Sequence, residues 1–245
     1  MTDEERQRLR DKKAEVSEWL AAENLGRYEL KKCDPRLDAY VREVAAHPKA
    51  HNLWEQLAVR RFLGMCVKYQ LDAAKVRQFY ALYERLTFPG NAGPTTYRLT
   101  PVQCFQFAGT FGFWQGDKRV VKEVCWYVPR KYSKTTSTAA LAVHDLLFGE
   151  SNGEAYVGAN SFDQAKKCFN VIRKCVRRLD PHGKRYVVNE DQIKSLRADR
   201  DAFAQCLTAN ASTKDGLNAS IVIMDEFSQA ADSELLTVLT TSMGV

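Results

Sequence analysis

The sequence predicts an α/β protein with a central, mostly parallel β-sheet flanked by helices and preceded by an N-terminal helical region. Over roughly the first 86 residues, apolar side chains recur at three- and four-residue steps, the period of amphipathic helices. After residue 97, short apolar runs alternate with helical runs, as in sheets covered by helices. Between them, Pro89–Thr96 has two prolines and two glycines in eight residues, typical of a linker or a long turn. We therefore predict a helical region over residues 1–88 and a second domain over 97–245.

The individual elements follow from the same periodicity, taken in chain order. The N-terminal region begins with a charged helix over about residues 1–32, and Asp72 is predicted to cap the last helix of the region. Its remaining helices are predicted at Leu37–Ala46, Leu53–Tyr69 and Ala73–Leu86. Strands are predicted at Val124–Val128, Ala155–Gly158, Ile221–Met224 and Leu235–Thr240, with helices at Lys134–Phe148 and Ser161–Leu179.

Composition limits the class of protein. Of the 245 residues, 45% are apolar, which is enough for a sizeable core. The 36 basic residues exceed the 30 acidic ones, for a net charge of +6 that permits a polyanionic partner without demonstrating one. No apolar run approaches the roughly 18 residues of a membrane span, and the charged N-terminus is unlike a secretory signal. Seven cysteines without a C-x-x-C pair indicate buried thiols in a reducing cytoplasm.

A candidate phosphate-binding loop follows the first predicted strand. Residues 128–136, VPRKYSKTT, are here called the phosphate loop. Lys134 and Thr135 match the last two positions of the template G-x-x-x-x-G-K-[ST], whereas Val128 and Ser133 replace its glycines. Backbone N–H groups at a helix start bind phosphate, lysine neutralises the β- and γ-phosphates, and threonine binds magnesium. The alternative interpretation is a solvated basic loop.

Two carboxylates follow the apolar run Ile221–Met224. In P-loop ATPases the first such acid holds magnesium, and the second takes a proton from the water that attacks the γ-phosphate. Asp225 and Glu226 have these positions, although an acid at a strand end can also cap a helix. The two motifs lie about 90 residues apart, in the expected order. Together they predict a P-loop ATPase of the ASCE type, with ATP and Mg²⁺ as ligands and with Thr135 and Asp225 binding the metal.

The stretch from about Tyr83 to Val245 resembles the ATPase part of the large terminase subunit of tailed bacteriophages, the motor that packages viral DNA. VPRKYSKTT is similar to the family's deviant phosphate loop, in which an arginine precedes the lysine by four residues. The segments AYVGANSFDQAKKCF and TKDGLNASIVIMDEF resemble its second strand and helix and the approach to its acidic strand. LTPVQ resembles the adenine motif, and TVLTTSMG resembles the coupling motif.

The resemblance implies roles for further residues. Gln103 would read the adenine edge, and Arg130 would act on the γ-phosphate in cis, so that Arg130→Ala keeps nucleotide binding and loses hydrolysis. The predicted catalytic residues are Arg130, Lys134, Asp225 and Glu226. The predicted ATP contacts are Gln103, Arg130, Lys131, Tyr132, Ser133, Lys134, Thr135 and Thr136. The predicted coupling residues are Thr240, Thr241 and Ser242.

The resemblance also implies a function and partners. It implies ATP hydrolysis that drives double-stranded DNA into a procapsid in the host cell cytoplasm. The implied partners are DNA, the portal, the small terminase subunit and further copies in a ring, although the isolated ATPase half could be a monomer. The family carries a C-terminal metal-dependent nuclease domain, for which this sequence has no acidic cluster. We therefore expect the motor half alone, unable to cut DNA.

The helix Ser161–Leu179 is the candidate DNA contact. Six cations lie away from its apolar stripe and could bind phosphates without reading sequence. A solvated face or a face between subunits explains the same pattern. The candidates are Lys166, Lys167, Arg173, Lys174, Arg177 and Arg178.

Two rival functions stay open at this point. A helicase-like nucleic-acid-remodelling ATPase would share both nucleotide motifs but would need further helicase motifs. An inactive nucleotide-binding scaffold would explain the missing loop glycines.

Overall fold

The computed structural model describes residues 1–129, 131–159, 161–207, 217–226 and Thr237. The chain forms two compact units. The first contains Met1–Ala81 and Arg98–Cys125, and the second contains Leu82–Tyr97 and Trp126–Val245. The predicted domains over residues 1–88 and 97–245 stay a prediction, because compactness alone does not define a domain that folds independently. None of the described helices is long and apolar enough to cross a bilayer.

The first unit is mainly helical, as predicted for most of its residues up to Ala81, whereas its helix at Pro101–Phe111 was not predicted. Its helices begin where polar side chains accept hydrogen bonds from the first free N–H groups. Asp72, the predicted cap, accepts from the N–H groups of Ala74 and Lys75. The helices are α1 (Asp3–Ala22), α2 (Pro35–Ala46), α3 (Leu53–Lys68), α4 (Ala73–Arg85), whose last turn enters the second unit, and α5 (Pro101–Phe111). A small sheet joins β1 (Gln70–Leu71), β4 (Phe113–Gln115) and β5 (Lys118–Arg119).

The prediction of one helix up to residue 32 was wrong, because α1 ends at Ala22. Two 3₁₀ turns follow it, at Leu25–Tyr28 and Leu30–Lys32. Between them Glu29 has a left-handed backbone with φ of 49°, which a continuous helix does not allow. The charged sequence does not reveal this break.

The core of the first unit is aromatic. The ring of Phe79 lies 4.5 Å from those of Phe107 and Phe111, measured between centroids. The ring of Phe62 lies 5.1 Å from those of Phe105 and Phe113. These contacts join α3, α4 and α5, so that packing rather than intrinsic propensity supplies most of the stability of these helices.

The second unit is an α/β layer. Its helices are α6 (Lys134–Phe148) and α7 (Phe162–Leu179), and a hairpin pairs β2 (Phe88–Gly90) with β3 (Gly93–Thr95). The main strands are β6 (Glu154–Ala159), β7 (Tyr186–Val188), β8 (Gln192–Ser195), β9 (Phe203–Cys206) and β10 (Ala219–Asp225). Their order is β10-β6-β9-β8-β7, so β6 lies beside the acidic strand.

The prediction of a mostly parallel sheet is corrected to a mixed sheet. The pairs β10–β6 and β6–β9 are parallel, and the pairs β9–β8 and β8–β7 are antiparallel. The antiparallel strands have only three or four residues each, and they follow one another through short connections. Their short alternating patterns were not recognised in the sequence. By contrast, α6 and α7 were predicted nearly residue for residue, and β6 and β10 were predicted at the right place but are longer than expected, by two and three residues.

Three further predicted segments lie outside these elements or differ from them. Val124–Val128 is not the predicted buried strand: these residues have no regular secondary structure, and the side chain of Tyr127 is 98% exposed. An apolar run becomes a strand only beside a partner strand, and none of the described pairings includes it. Pro89–Thr96, predicted as a linker or turn, contains most of the β2–β3 hairpin. The predicted strand Leu235–Thr240 lies outside the described residues, apart from Thr237, which is helical.

Candidate functional site

The start of α6 differs from the other helix starts. Ser133 occupies its N-cap position, yet its side chain makes no capping hydrogen bond. The first N–H groups of a helix have no partner within it, so an uncapped start leaves them available to an anion. Side chains cap the other six described α-helices: Thr2, Asp34, Asn52, Asp72, Thr100 and Ser161.

The phosphate loop has a glycine-like backbone without glycine. Lys131 has φ of 67° and Ser133 has φ of 61°, both in the left-handed region. A non-glycine residue there costs about 1 kcal/mol. Ser133 stands where the P-loop template has its second glycine, so the loop keeps the conformation that the missing glycine would favour.

The acidic residues meet this loop. Lys134 is the first residue of α6, and its Nζ lies 3.6 Å from Oε1 of Glu226. Asp225 ends β10, and its Oδ1 accepts a hydrogen bond from the Glu226 backbone N–H at 3.1 Å. Glu226 has φ of 54°. Glu226 thus links the end of β10 to the start of α6 through its ion pair with Lys134.

The electrostatics of this corner favour a bound cation. Burial, and then the neighbouring charge of Glu226, raise the pKa of the Asp225 carboxyl above its ordinary value. A divalent ion would offset this cost by stabilising the charged form. Carboxylate and hydroxyl oxygens are the hard ligands that Mg²⁺ takes, together with water and substrate phosphates. Asp225 and the half-buried Thr135 therefore fit the predicted magnesium site.

A family model described as the ATPase domain of the terminase large subunit matches residues 101–245, more than half of the chain. The chain belongs to this family. The crystal structure of the HK97 bacteriophage large terminase is similar, with a TM-score of 0.56 and 22% identity. The match covers 69% of this chain and 35% of that one, so the chain spans about a third of the length of that terminase. This likeness concerns the fold alone. No curated protein matches the chain.

The other residues predicted for the candidate nucleotide site are placed as follows. Thr136 donates its hydroxyl hydrogen to the Ser133 carbonyl at 2.9 Å, and Tyr132 is half-buried. Gln103 lies on α5 in the first unit, where its side chain completes a capping box with Thr100. Arg130 and the coupling residues Thr240, Thr241 and Ser242 lie outside the described residues.

The predicted apolar stripe of α7 is buried except for Leu179, but its cationic face is divided. Four cations are engaged within the protein: Lys166 with Glu190, Arg173 with Asn170, Arg177 with the Val188 carbonyl and Arg178 with the Thr87 carbonyl. Lys167 and Lys174 are exposed, and neither has a hydrogen-bond or ion-pair partner among the residues that the structure describes. The candidate DNA contact is therefore reduced from the six cations suggested by the sequence to Lys167 and Lys174.

Sequence reasoning missed one polar link between the two motif-bearing elements. Asp145 is buried near the end of α6 and accepts a 2.6 Å hydrogen bond from the Ser220 hydroxyl near the start of β10. Because this bond joins the far ends of the two elements, it helps to set Lys134 opposite Glu226. An acidic residue among the apolar positions of α6 was the available signal.

Proposed function

We propose that this chain is the ATP-hydrolysing motor of a terminase large subunit and that it drives double-stranded DNA into a procapsid. The observation that carries the proposal is the meeting of Lys134 and Glu226 at the uncapped start of α6. Membership of the terminase ATPase family supports ATP hydrolysis as the reaction at this site.

Each group has a task that follows from its position. The first N–H groups of α6 and the Lys134 side chain bind the phosphates, and Thr135 and Asp225 hold magnesium. The ion supplies charge neutralisation on the phosphates when it is bound. Glu226 orients the attacking water and accepts its proton. Before nucleotide binds, the ion pair with Lys134 holds the Glu226 carboxylate at the site.

The remaining parts of the proposal rest on the family. Arg130 precedes Lys134 by four residues, so that we propose it as the arginine that stabilises charge on the γ-phosphate. Thr240, Thr241 and Ser242 are proposed to couple hydrolysis to movement. The portal, the small terminase subunit and further copies in a ring are the proposed partners. The proposal assigns ATP hydrolysis to these residues and does not assign DNA cleavage to them.

DNA contact is proposed for Lys167 and Lys174, the α7 cations that have no partner among the described residues. Two phosphate contacts predict a slope of roughly −1.8 in the logarithm of affinity against the logarithm of salt. Such contacts do not read sequence, which suits a motor that must move along any DNA.

The proposal is tested by ATP turnover with and without linear double-stranded DNA, for the wild type and Glu226→Gln. We expect DNA to stimulate the wild type, and the variant to keep ATP binding while losing turnover by about 10²- to 10⁴-fold, the usual contribution of a general base. Glu190→Gln, at an exposed glutamate paired with Lys166, is the control that should hydrolyse ATP normally. Wild-type turnover by Glu226→Gln would refute the assignment, and DNA-independent turnover would refute the motor.

A further inference from the structure

Tyr83 brings a buried hydroxyl to the start of α6. It lies in the last turn of α4, within the second unit, and its side chain is 1% exposed. Its ring packs against Phe88, 5.4 Å away between centroids. Its hydroxyl oxygen lies 3.4 Å from the Thr136 hydroxyl oxygen. No sequence motif singled out this tyrosine.

The direction of this hydrogen bond follows from the number of available hydrogens. The Thr136 hydroxyl has one hydrogen, and it donates that hydrogen to the Ser133 carbonyl at 2.9 Å. In its contact with Thr136, Tyr83 is therefore the donor. The Ser137 side chain is a second hydrogen-bond partner of the Tyr83 hydroxyl. Burial raises the pKa of the Tyr83 hydroxyl, so it stays protonated and able to donate. The result is a relay from Tyr83 through Thr136 to the carbonyl of Ser133, in which the first contact is long, at 3.4 Å, and the second is 2.9 Å.

The carbonyl at the end of this relay belongs to the strained residue of the phosphate loop. Ser133 holds a left-handed conformation with φ of 61° without the freedom of glycine. Its carbonyl accepts both the Thr136 hydroxyl and the Ser137 backbone N–H, the latter at 3.0 Å. These two bonds hold the Ser133 carbonyl, and with it the peptide that leads into α6, in one orientation.

The segment that carries Tyr83 is itself anchored in the second unit. The Thr87 carbonyl accepts a hydrogen bond from Arg178 at 2.8 Å and a weak one from the Cys175 thiol at 3.6 Å. The segment that carries Tyr83 is therefore hydrogen-bonded to α7. Because the segment is held in this way, Tyr83 is suited to hold another group in place.

We propose that Tyr83 is a positioning residue that holds the phosphate loop in its nucleotide-binding conformation. The inference rests on the proposed function, because it assumes that the loop binds ATP. Losing the relay leaves the loop to populate other conformations, so that binding weakens while the chemical step of bound ATP is kept.

The test is Tyr83→Phe, which keeps the ring and removes the hydroxyl. We expect KM for ATP, and Kd for a non-hydrolysable ATP analogue measured by calorimetry, to rise about fivefold, the worth of one hydrogen bond. We expect kcat to change by less than about twofold. Thr136→Val should have the same effect, and the double variant should add little, because both changes break one relay.

The control is Tyr156→Phe, which removes another largely buried hydroxyl from the same unit, one that donates to Glu154 at 2.7 Å. It should lower the melting temperature and leave Kd unchanged. If Tyr83→Phe and Thr136→Val lower the melting temperature without changing Kd, Tyr83 is merely structural and the inference is wrong. If Lys134→Ala also binds the analogue as the wild type does, the proposed function fails; if only Lys134→Ala loses binding, the inference alone fails.

Discussion

Two helices of the second unit each begin after a serine, and the two serines do opposite things. Ser161, before α7, has an extended backbone, and its hydroxyl accepts the Gln164 N–H. Ser133, before α6, has a left-handed backbone and no capping bond. The sequence has the same residue type in both places. The difference teaches that backbone conformation decides whether a helix start is closed by its own side chain or left open for a ligand.

The first turns of the two helices show the same contrast in charge. α7 carries Asp163 in its first turn, which interacts favourably with the positive end of the helix dipole. α6 has no acid there and begins with Lys134. A lysine at this end interacts unfavourably with the helix dipole, and the Glu226 carboxylate 3.6 Å away offsets part of that cost. The start of α7 is therefore stable without a ligand, and the start of α6 gains most from a bound phosphate.

The largest expected effect comes from removing the cation at the open helix start. Lys134→Ala should weaken ATP binding by about 10- to 100-fold, because it loses charge-assisted hydrogen bonds to phosphate. Kd for a non-hydrolysable analogue measures this loss. Lys184→Ala, in the exposed turn after α7, is the control and should bind ATP normally. If both variants bound the ATP analogue with equal affinity, the start of α6 would have no special role in nucleotide binding.

The next effect compares the two serines directly by the same substitution. Ser161→Ala should lower the free energy of unfolding by about 1 kcal/mol, because it deletes a cap. Ser133→Ala should change it by less than about 0.5 kcal/mol, because no capping bond is lost. Urea denaturation of both variants measures the difference. A similar loss at both positions would mean that Ser133 caps α6 in solution.

The smallest effect concerns the acid opposite the open helix start. Burial raises the pKa of Asp225 in the folded protein, so its charge costs stability at pH values above that pKa. Asp225→Asn should therefore stabilise the nucleotide-free protein at neutral pH. The gain should shrink as the pH falls through the raised pKa and vanish once the carboxyl is also protonated in the unfolded chain.

Melting temperatures across this pH range, without magnesium, measure the effect. Asp117→Asn, in an exposed turn of the first unit, is the control and should show no gain. A loss of stability for Asp225→Asn at neutral pH would show that the carboxylate is already compensated without a metal.

The elements of the site were more predictable than the sheet around them. α6 begins at Lys134 and ends at Phe148, as predicted, because its apolar period is long and Gly149 follows. The strand ending at Asp225 was visible as a continuous apolar run. β7, β8 and β9 were missed because three- and four-residue strands carry too little periodicity to be recognised. Val124–Val128 was wrong because its composition favours a strand while none of the described strands pairs with it.

The sequence by itself determined the chemical groups: a lysine at a helix start and two acids at a strand end, because local periodicity and residue type are written along the chain. Only the tertiary structure decided how they are used. The left-handed backbone of Ser133, the 3.6 Å approach of Lys134 to Glu226 and the hydroxyl relay from Tyr83 join residues that are distant in sequence or depend on dihedral angles. Such relations arise from tertiary packing, which the local sequence around each residue does not specify.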